Sequence, residues 1–213
     1  MEAHEIIEKL KKNEGNYDEI LQWCEENIDT IDLGNNEYKC IYDEVISHMI
    51  QFRIKDLTEV EAGLMVKYLA SVYLREHKLA SRVEIAILNR EEFSKKYKEL
   101  DGIDETNAIC NTLKGLRFEI DYSTSVTDKL RDGSTAGLLN GLSAVFHEAC
   151  HVVQECLIAL HGINGKPMNI NNNSYQIAIE AVAKKADPEF YDANYEALYT
   201  ENQAEKVRII TSM

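Results

Sequence analysis

The feature that most constrains the fold is an apolar helical pattern over residues 138–160, which contains His147-Glu148-Ala149-Cys150-His151. Residues four apart on a helix lie one turn above each other, so His147 and His151 can reach the same metal ion. Glu148 lies beside that ion and can take a proton from a water molecule. The motif therefore predicts a metal site on a helix, with Glu148 as the general base.

A helical wheel divides this segment into a broad apolar arc and a polar strip. The apolar arc holds Leu138, Leu139, Leu142, Val145, Phe146, Ala149, Val152, Val153, Cys156, Leu157 and Leu160. The opposite strip holds Asn140, His147, Glu148, His151, Gln154 and Glu155. We therefore predict that the apolar side is buried and that the polar strip presents the two histidines.

The composition narrows the class of protein. The chain has 213 residues and a formal net charge of −14, which disfavours nucleic acid and anionic membrane surfaces as partners. No run is long enough to span a bilayer, and the amino terminus has no apolar signal region. The five cysteines are odd in number and form no C-x-x-C, which favours reduced thiols and a cytoplasmic location. We interpret Cys150 as a small buried residue in preference to a metal ligand.

The remaining patterns predict an α+β chain that is mostly helical. Residues 1–80 are predicted to form an all-helical region, with helices over residues 4–13, 16–27 and 38–52 and a last helix opened by a Thr58–Glu61 capping box. In residues 81–213 we expect strands over residues 82–88, 106–113 and 116–122, a helix capped by Asn89, and a polar loop over residues 123–134. Ser134 is a candidate cap for the motif helix, which is expected to end near residue 160. Two further helices are expected over residues 174–185 and 189–210.

A catalytic zinc usually has three protein ligands, so the motif needs one more. The metzincin arrangement is excluded because Gln154 and Leu157 occupy the positions of its glycine and third histidine. The segment Tyr199-Thr200-Glu201-Asn202-Gln203-Ala204-Glu205 resembles the glutamate helix of the gluzincin metallopeptidases. Carried across, this resemblance implies Glu201 as the ligand, Ala204 as the small residue that lets two helices approach, and Glu205 as the acid that orients a ligand histidine. Glu205 and Glu196 remain rival ligands, with Glu180 and Asp187 as weaker ones.

The resemblance covers about residues 82–213 and implies a zincin-like catalytic domain. It implies one Zn²⁺ held by His147, His151 and Glu201, a peptide or protein substrate, and a cleft strand at residues 116–122 or its neighbour. Several gluzincins place an oxyanion-stabilising His or Tyr after the glutamate helix, but none of the twelve residues after Glu201 is of that type. The upstream candidates for this role are Tyr191, Tyr195, Tyr199 and His161.

Two other interpretations stay open. One is a non-enzymatic interaction protein built on a zincin-like metal-binding scaffold, and the other is a structural metal site with a closed ligand shell. The role of the helical amino-terminal region, the substrate, the cleavage preference and the oligomeric state do not follow from the sequence.

Overall fold

The computed structural model describes residues 2–12, 15–30, 36–99 and 106–164, with side chains in the last range up to Cys156. The helices in these ranges are α1 (Ala3–Lys11), α2 (Tyr17–Asn27), α3 (Asn36–His48), α4 (Glu59–Glu76), α5 (Arg90–Lys96), α6 (Thr124–Arg131) and α7 (Thr135–Asn164). The strands are β1 (Val83–Leu88), β2 (Ala108–Leu113) and β3 (Arg117–Ser123). A π-helical turn (Met49–Arg53) continues α3, and a 3₁₀ turn (Ala80–Arg82) precedes β1. The α+β, mostly helical prediction is confirmed.

The helix starts follow from their capping residues. The Thr58 hydroxyl accepts from the Glu61 backbone N–H at 3.2 Å, and the Glu61 carboxylate accepts from the Thr58 N–H at 2.7 Å. Asn89 opens α5 by accepting from the Glu92 N–H at 2.9 Å. Ser134 opens α7 by accepting from the Gly137 N–H at 3.0 Å. These side chains satisfy backbone donors that have no partner within their helices, and the three predicted caps are confirmed.

Two predicted boundaries are wrong. Residues 124–131 are not part of a polar loop but form α6, which buries Val126 and Leu130 one turn apart. Two apolar residues are too few to reveal a helix in the sequence, and α6 depends on its packing against α7. The motif helix α7 also continues past residue 160 to Asn164, so Gly162 does not end it.

The sheet has the strand order β1-β3-β2, with β1 parallel and β2 antiparallel to the central strand β3. Phe118, Ile120 and Tyr122 point to one face and are fully buried. Helix α5 covers the other face, where the Tyr97 hydroxyl donates to the buried Asp121 carboxylate at 2.6 Å. Because β3 is paired on both sides, residues 116–122 cannot accept an added peptide strand, and only a neighbouring strand can.

The motif helix packs between α4, α6 and the sheet. Its residues Val145, Ala149 and Val152 are fully buried, as the apolar arc predicts. The Tyr122 hydroxyl donates to the Val145 carbonyl at 2.8 Å and so ties β3 to α7. The same core includes residues from before position 80, such as the fully buried Leu74. The division into residues 1–80 and 81–213 stays a prediction, and one core joins the described parts of both regions.

The approach of α7 to α6 gives a testable prediction about Gly141. A Cβ atom at Gly141 would lie 2.6 Å from Leu130 Cδ2 and 3.2 Å from the Val126 carbonyl oxygen, whereas one at Gly63 would meet only Ile87 Cδ1 at 3.5 Å. We expect Gly141→Ala to lower the free energy of unfolding by about 1–3 kcal/mol through overpacking. The matched variant Gly63→Ala should gain up to about 1 kcal/mol from helix propensity. Urea unfolding followed by circular dichroism measures both, and equal effects of the two variants would contradict this packing.

Candidate metal centre

The two motif histidines lie side by side on α7. Their Nε2 atoms are 3.0 Å apart, and the ring centroids are 4.6 Å apart with planes at 82°. Two imidazole nitrogens bound to one tetrahedral zinc at its usual bond lengths lie about 3.3 Å apart. Both rings are half-buried, so they remain partly accessible. The predicted pair therefore has a separation that suits two ligands of one zinc ion.

Gln154 fixes the orientation of the His151 ring. Its side-chain oxygen Oε1 lies 2.8 Å from His151 Nδ1. An amide oxygen only accepts hydrogen bonds, so Nδ1 carries the proton and the Nε2 lone pair faces His147. A partner of this kind sets the tautomer that a metal-binding histidine needs. The donor set on this helix thus fits a metal ion.

Gln154 is also where the wheel prediction fails. We expected Gln154 to lie on the exposed polar strip, but only 3% of its surface is exposed. Burial is tolerated because the amide oxygen is hydrogen-bonded to the His151 ring. The spacing of three residues from His151 could have revealed this contact in the sequence, because such residues are neighbours on a helix surface.

Strand β2 lies next to α7. Burial raises the pKa of the Cys110 thiol on β2, and the nearby carboxylates of Glu148 and Glu155 raise it further. The Thr112 hydroxyl, also on β2, lies 3.3 Å from the Glu155 carboxylate. A thiol with a raised pKa is a poor nucleophile, so the arrangement does not favour cysteine catalysis at Cys110. It does place Glu148 beside an edge strand of the sheet.

Cys150 points away from the histidines. It is 3% exposed and lies against Tyr73 of α4, where burial raises the pKa of the Tyr73 hydroxyl and Cys150 adds to that shift. This position agrees with the prediction of a small buried residue. All five cysteines are free thiols in the structure.

The predicted third ligand is not among the described residues. Among residues 2–12, 15–30, 36–99 and 106–164, no group of three or more His, Cys, Asp or Glu side chains is placed to hold a metal ion. The predicted ligand Glu201 and the other candidates later in the chain lie outside the described residues. They are Ala204, Glu205, Glu196, Glu180, Asp187, Tyr191, Tyr195 and Tyr199, and the side chain of His161 is likewise not described. The structure thus brings together two of the three predicted ligands.

The contact between Gln154 and His151 predicts an effect on metal affinity. Gln154→Leu keeps a side chain of similar size but removes the acceptor at Nδ1. We expect it to weaken zinc binding by about 10–100-fold, as loss of a group that orients a ligand usually does. Gln22→Leu is the matched control, because Gln22 is an amide on α2 that bonds only to the exposed Glu26. Competition with a chromogenic chelator measures both affinities, and equal values would remove the assigned role of Gln154.

Comparison of the chain with protein families, curated proteins and solved structures gives no match. In the described part of the chain, no helix combines the length and apolarity that a membrane span requires. The functional interpretation therefore depends on the residues of the site themselves.

Proposed function

We propose that the chain is a zinc-dependent peptidase whose residues 81–213 form a zincin-like catalytic domain. The observation that carries this proposal is the 3.0 Å approach of the two Nε2 atoms, with the tautomer of His151 set by Gln154. With Nδ1 bonded to Gln154, the Nε2 lone pair of His151 faces His147, where it can accept a hydrogen bond from that ring or bind a metal ion. The apolar face of α7 is buried in the core, which anchors the helix that carries this pair.

His147 and His151 would hold the zinc ion together with Glu201, which the resemblance to gluzincins supplies. Glu205 remains the rival third ligand. When bound, Zn²⁺ would lower the pKa of a water molecule and polarise a peptide carbonyl. Glu205, if it is not the ligand, would orient a ligand histidine from its far side.

Glu148 supplies the acid–base chemistry. It follows His147 directly on α7 and lies close enough to Cys110 of β2 to shift the pKa of that thiol. The Glu148 carboxylate would accept a proton from the attacking water and pass it to the amine that leaves. The net result is addition of water across one peptide bond.

The outer edge of β2 is the best position for a peptide substrate. In the described part of the chain, β2 pairs with β3 on one side only. Its residues Cys110 and Thr112 face the carboxylates of Glu148 and Glu155. An extended peptide that adds to this edge would lie along the motif helix, which suits a peptidase that binds substrate as an extra strand.

Mass spectrometry of a peptide mixture incubated with the zinc-loaded full chain tests this function. New termini should form with wild type and not with Glu148→Gln. Absence of new termini with zinc-loaded wild type across a diverse mixture would contradict the peptidase proposal.

A non-enzymatic interaction protein on the same scaffold is the second candidate. Ile50 and Phe52 on the π-helical turn favour it, because they are 56% and 65% exposed and present an apolar surface. Zinc binding without cleavage, combined with a stable complex that Phe52→Ser disrupts, would favour this alternative.

A further inference from the structure

A buried hydrogen bond joins the sheet to the turn of α7 that carries the motif. The hydroxyl of Tyr122, a fully buried residue of β3, donates to the Val145 carbonyl at 2.8 Å. Within a helix, that carbonyl also accepts from the N–H four residues later, which belongs to Ala149. A carbonyl oxygen has two lone pairs and can accept both bonds. The hydroxyl therefore meets α7 at the helical turn that contains His147 and Glu148.

The strand that carries Tyr122 is held on both edges and on its opposite face. Strand β3 is central, and Tyr122 is in register with Ile87 of β1 and Ala108 of β2. The preceding residue, Asp121, points to the opposite face and is fully buried there. Its carboxylate accepts from the Tyr97 hydroxyl, at the end of α5, at 2.6 Å. These contacts fix the place of Tyr122 in the sheet.

The apolar contacts of α7 differ in kind from this hydrogen bond. Val145, Ala149 and Val152 are fully buried. Burial of apolar surface stabilises the packing of the helix, but it is non-directional. A hydrogen bond has a preferred length and angle. The bond from Tyr122 therefore restricts where α7 lies relative to β3 more narrowly than apolar packing does.

Glu148 lies close to this contact. Burial raises the pKa of the Tyr122 hydroxyl, and the nearby Glu148 and Cys110 add to that shift. The Glu148 carboxylate also adds to the raised pKa of the Cys110 thiol on β2. Tyr122, Cys110 and Glu148 are therefore neighbours at the junction of the sheet and α7. A change in the contact between Tyr122 and Val145 would alter where Glu148 lies relative to β2.

We propose that Tyr122 is a positioning residue of the metal centre, which sets the place of His147 and Glu148 relative to the sheet by holding the Val145 carbonyl. This proposal rests on the proposed function, since it requires that His147 and His151 bind the metal ion. Tyr122 acts through the backbone of α7. The spacing of the two histidines along one helix does not depend on Tyr122. The place of that pair relative to a ligand outside α7 does.

Two variants that each remove one hydroxyl test the proposal. Tyr122→Phe keeps the ring and loses the bond to α7. Tyr42→Phe is the matched control, because Tyr42 is also fully buried and its hydroxyl donates to the Cys24 carbonyl of α2 at 3.0 Å. Since each variant loses one buried hydrogen bond to a helix carbonyl, we expect both to lower the urea midpoint of unfolding by a similar amount.

The full chain loaded with Co²⁺ gives a readout that a merely structural role would not move. The visible absorption of Co²⁺ depends on the geometry of its ligands. We expect both variants to bind Co²⁺, because His147 and His151 are retained. Tyr122→Phe should shift the absorption spectrum, and Tyr42→Phe should reproduce the spectrum of wild type.

Peptide cleavage by the zinc-loaded full chain is the second readout. We expect Tyr122→Phe to lower kcat by about tenfold or more, because a small misplacement of the reacting groups slows the chemical step. The KM of this variant should change by less than about twofold. Tyr42→Phe should keep the kcat of wild type.

Several results would overturn the proposal. They are an unchanged spectrum or an unchanged kcat in Tyr122→Phe, equal changes in the two variants, and absence of Co²⁺ binding by wild type. A failure to fold that is limited to Tyr122→Phe would also overturn it, since the bond would then serve the fold and not the site. The peptidase proposal fails separately, if wild type binds Co²⁺ and zinc but cleaves no peptide. A spectral shift in Tyr122→Phe alone would then still support the positioning role.

Discussion

Glu148→Gln is expected to lower kcat for peptide cleavage by about 10²–10⁴-fold and to leave the zinc content unchanged. Proton transfer by a positioned side chain typically contributes a rate factor of this size. Glutamine has the same shape but cannot accept the proton, so substrate binding and the helix itself should be preserved. Steady-state cleavage of a quenched fluorescent peptide measures the loss.

Glu155→Gln is the matched control for this variant. Glu155 is a carboxylate on the same helix and also lies beside β2, where the Thr112 hydroxyl is 3.3 Å from it. Glu155 lies outside the motif of residues 147–151, whereas Glu148 comes directly after His147. Replacement of Glu155 should therefore change kcat only slightly. Comparable losses in the two variants, or full activity of Glu148→Gln, would contradict the role of Glu148 as the general base.

His151→Ala should weaken zinc binding by more than about a hundredfold. Removal of a ligand should cost more than removal of a group that only orients one, for which losses are about 10–100-fold. His48→Ala is the control, because the His48 ring stacks on Tyr17 at 4.2 Å and lies in α3, outside the metal centre. Chelator competition gives the affinities of wild type and both variants.

Thermal unfolding gives a second measurement of the same effect. Zinc at a thousand times its Kd stabilises a protein that binds it only when folded by about 4 kcal/mol. Wild type and His48→Ala should show this zinc-dependent stabilisation, and His151→Ala should lose most of it. Zinc-dependent stabilisation of equal size in all three proteins would place the metal elsewhere.

Local sequence patterns predicted the elements that local interactions determine. The caps at Thr58, Asn89 and Ser134 follow from side chains that bond to backbone N–H groups three residues away. The alternation of residues 117–122 identified β3 because every second side chain is buried against the helices. The pairing of His147 with His151 is equally local, since one turn of helix sets their distance.

Features that depend on tertiary packing were not predictable in this way. Helix α6 buries only two apolar residues, Val126 and Leu130, and its formation depends on the neighbouring α7. Gln154 was assigned to the exposed strip because a helical wheel gives only direction, whereas its burial depends on which elements pack around α7. A third ligand from a later predicted helix would be set by the contact of that helix with α7, so spacing along the chain leaves Glu201 and Glu205 as alternatives.

The arrangement of the sheet also required the structure. From the resemblance to gluzincins we expected either residues 116–122 or a neighbouring strand to line the cleft. Strand order makes β3 central and leaves β2 beside α7, while β1 forms the opposite edge. The two edges therefore have different neighbours, with carboxylates of α7 next to β2 and helix α4 next to β1.

The central claim is tested most directly by the number of zinc ions per chain in the purified full chain, measured by elemental mass spectrometry. We predict one zinc ion per chain in wild type, the same content in Glu148→Gln, and loss of the metal in His147→Ala. Glu201→Gln in the same series should lower the zinc content if Glu201 is the third ligand, and Glu205→Gln should do so if Glu205 takes that place. Absence of zinc from wild type, or an unchanged content in His147→Ala, would contradict the metal centre on α7.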